Sequence, residues 1–353
     1  VWTDFDESHR DESCEGERTV RLPGGRTLRA TSVLDTYWRF ATKRQQLFFA
    51  RLSGPPPWTD DPVIASFRFT NAYRASDRVS QYLIRNVIYD AERTDEDTFF
   101  RIVLFKLFNK IETWERLTEA LGDLLWESFD IDGCARVLEA LLRRGERVYS
   151  AAYIMPPPQL GLVRKHENHL RLLNLMMTDR LVDRIVAARS LDQVFETLKE
   201  YPSLGNFLAF QLAIDLNYSE MIDFSEMDFV VAGPGACDGI RKCFSDTSGL
   251  TERDVIAAMS DIAEDEFRRL DLDFPRLWGR PLQLIDFQNL FCEVDKYARV
   301  MHPNVRGTSG RVRIKQRFTP TPRALPQFYP PKWKLDVPRH LSKPTQRSEK
   351  RAN

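Results

Sequence analysis

TDEDTFFRIVLFKLFNKI, residues 94–111, is the stretch whose reading decides the fold class. Phe100, Leu104, Phe108 and Ile111 recur at intervals of three or four, beside Phe99, Val103 and Leu107. That spacing gathers apolar side chains on one side of an α-helix; a half-buried strand would alternate instead. Thr94 followed three residues later by Asp97 predicts a capped start, the hydroxyl accepting a backbone N–H of the first turn.

The same pattern extends outward. Val137, Leu138, Leu141 and Leu142 predict one helix, and Leu170, Leu173, Met177, Leu181 and Ile185 another. Ser190 with Gln193 forms a capping-box pattern before Val194, Phe195 and Leu198. Thr251 with Asp254 opens a helix through Ile256, Met259 and Ile262, and a last helix is expected from about Pro281 to Val300. Sustained β alternation is scarce and no internal repeat is evident. The expected class is all-α, arranged as an irregular acidic segment 1–30, a helical domain 31–302 and a basic, proline-rich tail 303–353.

Charge supports that division. The 353 residues carry 51 basic and 51 acidic side chains. From Pro303 onward there are 13 Lys or Arg against 2 acids, which leaves 38 basic and 49 acidic residues before it. A basic tail can bind nucleic acid by displacing counterions from phosphates, fold back on an acidic body, or stay solvated. Eight of the twenty prolines lie in it, which forbids a regular helix, while Phe318, Phe328, Tyr329 and Trp333 equip it to lie on a surface. The hydrophobic share of 42% suffices for a packed core, and no apolar run approaches the length of a membrane span. The acidic start at Val1 is unlike a signal or transit peptide, so a soluble intracellular chain is expected. Five cysteines without a C-x-x-C pair argue against a disulfide framework or a thiolate zinc site.

Chemistry-bearing residues concentrate in a few places. After Gly54-Pro55-Pro56-Pro57, the block Trp58 to Arg78 holds Trp58, Asp60, Arg68, Asn71, Tyr73 and Arg74 among Phe67 and Phe69. Upstream, Arg44 and Arg51 share a helical face. Arginines with aromatics suit phosphate contact and base stacking; the competing reading is internal Arg–Asp pairing that ties a loop to the body. Two glycine turns follow. Tyr201-Pro202-Ser203-Leu204-Gly205 joins two predicted helices, and Gly233-Pro234-Gly235 precedes another. Backbone N–H groups at such turns can bind a phosphate, and such turns are equally ordinary helix connections. Between them lie Asp223 and Asp228, acids able to stabilise developing positive charge or to act as helix caps. In the last helix Asp286, Asn289, Glu293 and Lys296 fall on one face. That stripe could read a base edge or be a solvated face with a Glu293–Lys296 pair. His166 and His169 lack a third metal ligand in the sequence, and no G-x-x-x-x-G-K-[ST], G-x-G-x-x-G or G-x-S-x-G string occurs. No metal and no cofactor are expected.

The block YWRFATKRQQLFFARLSGPPPWTDDPVIASFRFTNAYRASDRVSQYL, residues 37–83, resembles the opening of the helical domain of phage 5-hydroxymethyluracil DNA kinases. That family includes the α-glutamyl/putrescinyl-thymine pyrophosphorylases. LFKLFNKIETWE (104–115), DFSEMDFVVAGPGACDGIRKCF (223–244) and DFQNLFCEVDKY (286–297) are similar too, in order along the chain. The resemblance implies DNA-base hypermodification, in which a hydroxymethyl group is phosphorylated and then replaced by an amine or amino acid. It also implies a helix-hairpin-helix, DNA-glycosylase-like fold that flips a base out of the duplex. On that analogy Leu204-Gly205 sits at the hairpin, Asp223 near the catalytic aspartate, and Ser203 where glycine is common. Catalytic candidates are Asp223, Asp228 and Glu293. Candidates for base or DNA contact are Arg44, Arg51, Trp58, Asp60, Arg68, Asn71, Tyr73, Arg74, Gly205, Gly233, Gly235, Asn289 and Lys296. The fused P-loop kinase module of the family has no counterpart here, so an active chain would be a transferase or glycosylase-like enzyme, not a kinase on its own. Expected partners are DNA and a separate kinase or oxygenase of the same pathway, with no membrane, and a nuclear location follows if DNA is the target. A non-catalytic DNA-binding module and a structural or assembly subunit reusing the fold are the alternatives.

Overall fold

The computed structural model describes residues 17–151, 153–319 and 326–342. Of the acidic run Asp4 to Glu17 all but Glu17 lies outside them, as do Cys14 and the tail beyond 342. The described residues are mostly helical, with one small sheet. No helix among them is long and apolar enough to cross a membrane. Contacts divide the chain into two compact units, each built from separate stretches of sequence.

The first unit comprises residues up to Arg74 and residues 230–322. Strands β1 (Arg18–Arg21) and β2 (Thr27–Ala30) form an antiparallel hairpin, Val20 facing Leu28 across it. The hairpin turns at Gly24 and Gly25, both at positive φ, where side chains other than glycine are strained. This stretch falls in the segment expected to be irregular; β1 holds a single apolar residue, Val20, and β2 only two, Leu28 and Ala30. Helix α1 (Ser32–Ser53) starts at Thr31, whose hydroxyl accepts the Val33 N–H. Short helix α2 (Pro62–Ser66) follows the triple proline. The unit resumes with α11 (Pro234–Cys243), β3 (Phe244–Asp246), α12 (Glu252–Arg269) and α13 (Leu284–Met301). Strand β3 extends the sheet beside β2. Thr251 and Asp254 make the expected reciprocal capping box.

The core of this unit is aromatic. Trp38 of α1 packs edge-on against Phe267 of α12 at 5.0 Å, and Tyr37 lies 4.7 Å from Phe291 of α13. Helices α11 and α13 meet closely because Gly239 has no side chain; a Cβ there would overlap the Phe291 carbonyl oxygen. Beside this contact Lys242 pairs with Asp295 at 2.9 Å, both almost wholly buried, and Arg299 reaches the same carboxylate.

The second unit comprises residues 75–229 and 323 onward. It contains α3 (Arg78–Tyr82), a π-helical turn Leu83–Ile88, α4 (Asp95–Phe108), α5 (Ile111–Leu121) and α6 (Ile131–Arg143). Then come α7 (Lys165–Thr178), α8 (Leu181–Val186), α9 (Leu191–Lys199), α10 (Asn206–Leu216) and the short α14 (Arg339–Ser342). Thr94 caps α4 as expected, accepting from the Asp97 N–H. The single helix expected through Leu170 and Ile185 is two. Arg180 takes a left-handed conformation between them, and the apolar spacing simply continues across the break. Ser190 caps α9, but Gln193 returns its side chain to the Arg189 N–H, one residue earlier than a capping box requires.

The C-terminal residues 326–342 lie along this unit, as their aromatics suggested. Phe328 donates its N–H to Gln81, Tyr329 shares a 2.8 Å hydrogen bond with Ser76, and Trp333 packs edge-on against Tyr218.

Candidate functional site

In the first unit the structure brings together two polar stretches read separately from sequence: the 67–74 loop and the face of α13. Glu293, buried on α13, accepts the Thr70 N–H at 3.0 Å and pairs with Lys296 at 2.6 Å. One turn-pair earlier, Asp286 accepts the Arg74 N–H at 2.8 Å while its second oxygen caps its own helix through the Gln283 N–H. From α1 the buried Arg44 donates to the carbonyls of Thr70 and Phe69 and to Asn71 Oδ1. The planar guanidinium suits this, since its fixed fork can satisfy several acceptors at once. Tyr73 is interior, its hydroxyl donating to the Arg280 carbonyl at 2.6 Å. Asn289 is half-buried on the same helix. The α13 stripe therefore faces protein, and its acids hold the loop by backbone N–H groups.

Asp61 ties this arrangement together. It caps α2 through the Val63 and Ile64 N–H groups, and its other oxygen accepts from Lys43 at 3.0 Å and from Tyr297 at 2.6 Å. Burial alone would raise its pKa; the Tyr297 hydroxyl, the Ile64 N–H and the Lys43 ammonium together hold it below the usual carboxylate range. Around the loop, Arg68 and Asp60 are exposed. Lys296 Nζ approaches the Arg68 carbonyl at 3.4 Å. Arg51 lies over the Trp58 ring at 5.2 Å, and Trp58 donates its indole N–H to the Gly54 carbonyl.

Gly233 and Gly235 are at the start of α11. A Cβ on Gly235 would overlap the Cys292 sulfur on α13, so close helix approach accounts for this glycine without a ligand.

The remaining candidates lie in the second unit. Helices α9 and α10 form a tight helical hairpin through Tyr201–Gly205. Leu204 is buried, Gly205 is the α10 N-cap, and Ser203 has φ 67°, the region that favours glycine. Asp223 is 79% exposed and lies 3.5 Å from Lys332, whose ammonium donates to the Ser219 and Ile222 carbonyls. Burial lowers the Lys332 pKa, against the opposing pull of Asp223 and Glu220. Asp228 is exposed. A pair that the sequence reading did not single out is Lys106 with Asp215, 3.1 Å apart and both buried. Its signal was available: Asp215 is the one acid in the apolar run NFLAFQLAIDL.

His166 and His169 do not converge on a metal-like cluster; no group of three or more His, Cys, Asp or Glu is gathered among the described residues. His169 instead bridges Tyr149 and the Pro156 carbonyl through its two ring nitrogens. The carbonyl can only accept, so Nε2 carries the proton and Nδ1 accepts from the tyrosine.

Comparison with known proteins agrees with the motifs. Residues 31–307 match the family described as 5-hmdU DNA kinase, helical domain. A 5-hmdU DNA kinase of Bacillus phage SP10 is 28% identical over 286 residues, covering 74% of this chain and 44% of that protein. The chain thus spans less than half the length of that curated relative. No solved structure matches it. With most of its length matched, and both units included, the chain belongs to the family of the helical domain of 5-hmdU DNA kinases.

Proposed function

We propose that this chain is a DNA-base hypermodification domain that recognises a flipped modified pyrimidine, 5-hydroxymethyluracil or its phosphorylated form. The observation that carries the reading is the match over residues 31–307, taken with the polar loop 67–74 that Arg44, Asp286 and Glu293 hold in place within it. A loop fixed through its backbone presents its side chains in one arrangement, which favours recognition over loose attraction. The α9–α10 hairpin, with its left-handed Ser203 and glycine N-cap, supports a helix-hairpin-helix, glycosylase-like contact with a DNA phosphate.

In the catalytic form of the reading, the nitrogen lone pair of an amine or amino acid attacks the exocyclic methylene carbon of the phosphorylated base. The carbon–oxygen bond breaks and the phosphate leaves with its electron pair. A carboxylate, Asp223 first and Asp228 or Glu293 after it, takes the proton lost by the amine. Arginine side chains stabilise the departing phosphate. A separate enzyme of the same pathway supplies the phosphorylated base, and DNA is the partner.

A second reading, a non-catalytic module for modified DNA, is favoured by one observation. Glu293 is already engaged by the Thr70 N–H and by Lys296, which leaves it poorly placed to exchange protons. Incubating the chain with DNA carrying phosphorylated 5-hydroxymethyluracil and an amine donor, then analysing nucleosides by mass spectrometry, separates the two. An aminated thymidine that disappears with Asp223→Asn supports the transferase. An unchanged base in the presence of tight, modification-dependent binding supports the module.

A further inference from the structure

Beyond the matched region, residues 311–317 read R-V-R-I-K-Q-R, with a cation at every second position. Although the stretch lies in the proline-rich tail, it is pinned to the first unit. The Arg68 N–H donates to the Gln316 carbonyl at 3.0 Å, and the Phe318 N–H donates to the Ser66 carbonyl at 3.0 Å. These bonds make an antiparallel bridge between Phe67 and Arg317. Further along, Arg299 donates to the Arg313 carbonyl at 3.1 Å. The backbone is thus tied at several points, while Arg311, Arg313, Lys315 and Arg317 all remain exposed.

Among the described residues none of these four side chains has a carboxylate within ion-pair distance, in contrast to Arg18, Arg269 and Arg276 of the same unit. Arg317 lies instead over the Phe67 ring at 4.6 Å, and Arg51 faces Phe318 at 5.8 Å. On the partner side of the bridge, exposed Arg68 adds a fifth cation and joins the ribbon directly to the 67–74 loop.

We infer that the ribbon 311–317, with Arg68, is a backbone-tracking surface for DNA that delivers the strand to the loop site. Where the backbone is extended, as at the Phe67–Arg317 bridge, alternate residues stand about 6.6 Å apart, close to the spacing of successive phosphates along a nucleic-acid strand. A row of unpaired cations held on an already ordered backbone gains from counterion release without a large ordering cost. The inference rests on the DNA reading above but assigns a different part of the chain: it concerns phosphates, not the modified base.

The test uses the full chain with Arg311→Gln, Arg313→Gln and Lys315→Gln combined; Arg317 is kept because it packs on Phe67. Binding to single-stranded and duplex DNA, each with thymine or 5-hydroxymethyluracil, is measured from 50 to 200 mM salt, alongside a melting curve. The expected result is an unchanged melting temperature and weaker binding to modified and unmodified DNA alike. The slope of log affinity against log salt should be shallower by about 0.9 per cation on duplex and about 0.7 on a single strand. The ratio between modified and unmodified DNA should be retained. An unchanged slope in the folded variant overturns the ribbon, whatever the base preference. A shallower slope without any base preference in the parent chain keeps the ribbon and overturns the base reading. No binding by the parent chain at 50 mM salt overturns both.

Discussion

The carboxylate of Glu293 accepts the backbone N–H of Thr70 at 3.0 Å across 223 residues of sequence, and so fixes the polar loop to α13. Its other attachment, the 2.6 Å pair with Lys296, balances the buried charge. Glu293→Ala removes both and leaves the Thr70 N–H without its acceptor, which costs about 1–3 kcal/mol. Glu293→Gln keeps an acceptor and should cost less. Urea unfolding of the two variants checks the order.

Arg44→Lys should also weaken the loop. A point-charged ammonium cannot reproduce the three acceptors that the guanidinium reaches at Thr70, Phe69 and Asn71. A loss of about 1–3 kcal/mol is expected from the unmade hydrogen bonds. Affinity for modified DNA should fall more than affinity for plain DNA, measured as the ratio of the two.

Ser203→Gly should stabilise the chain. A serine at φ 67° bears the Cβ strain of the left-handed region, on the order of 1 kcal/mol, which glycine avoids. A raised melting temperature checks this, and a lowered one would mean that the Ser203 side chain contributes more than its backbone costs.

Gly239→Ala tests the helix contact in the first unit. The new methyl would meet the Phe291 carbonyl oxygen, a backbone atom that cannot swing aside. Overpacking of this kind costs about 1–3 kcal/mol or more. Cys292→Ala, which relieves crowding one residue further on, should not rescue it.

Stability should depend on pH through His169. Burial pushes its pKa down to about 4 from the ordinary 6.5, with the Pro156 carbonyl opposing. Between those values the unfolded chain binds a proton that the folded chain excludes. Stability from this group therefore falls as pH drops from 6.5 and levels off below about 4, a total of roughly 3 kcal/mol. Comparing the pH dependence of unfolding with that of His169→Gln isolates the contribution from the carboxylates.

The helices were legible because their signals are local. Thr94, Ser190 and Thr251 each stand at a helix start where their side chains accept a backbone N–H. The break at Arg180 was hidden because Leu181 and Ile185 keep the spacing set by Leu170 and Leu173. The sheet was hidden for a different reason: its strands are four, four and three residues long, and β3 comes more than two hundred residues after its partner. Both halves of the loop site were visible as polar stretches, yet nothing local shows that Glu293 and Asp286 turn inward to hold backbone N–H groups. Asp61 illustrates the same limit. Its place before Pro62 announces a turn, whereas its bonds to Lys43 and Tyr297 depend on α1 and α13 arriving from either side.

The most direct test of the central claim is equilibrium binding of the purified chain to duplexes that differ at one base: thymine, 5-hydroxymethyluracil or its phosphate. The account predicts tighter binding to a modified base, with the preference surviving at high salt because it comes from the loop site and not from phosphate contacts. Equal affinity for all three duplexes, lost together as salt rises, would contradict it.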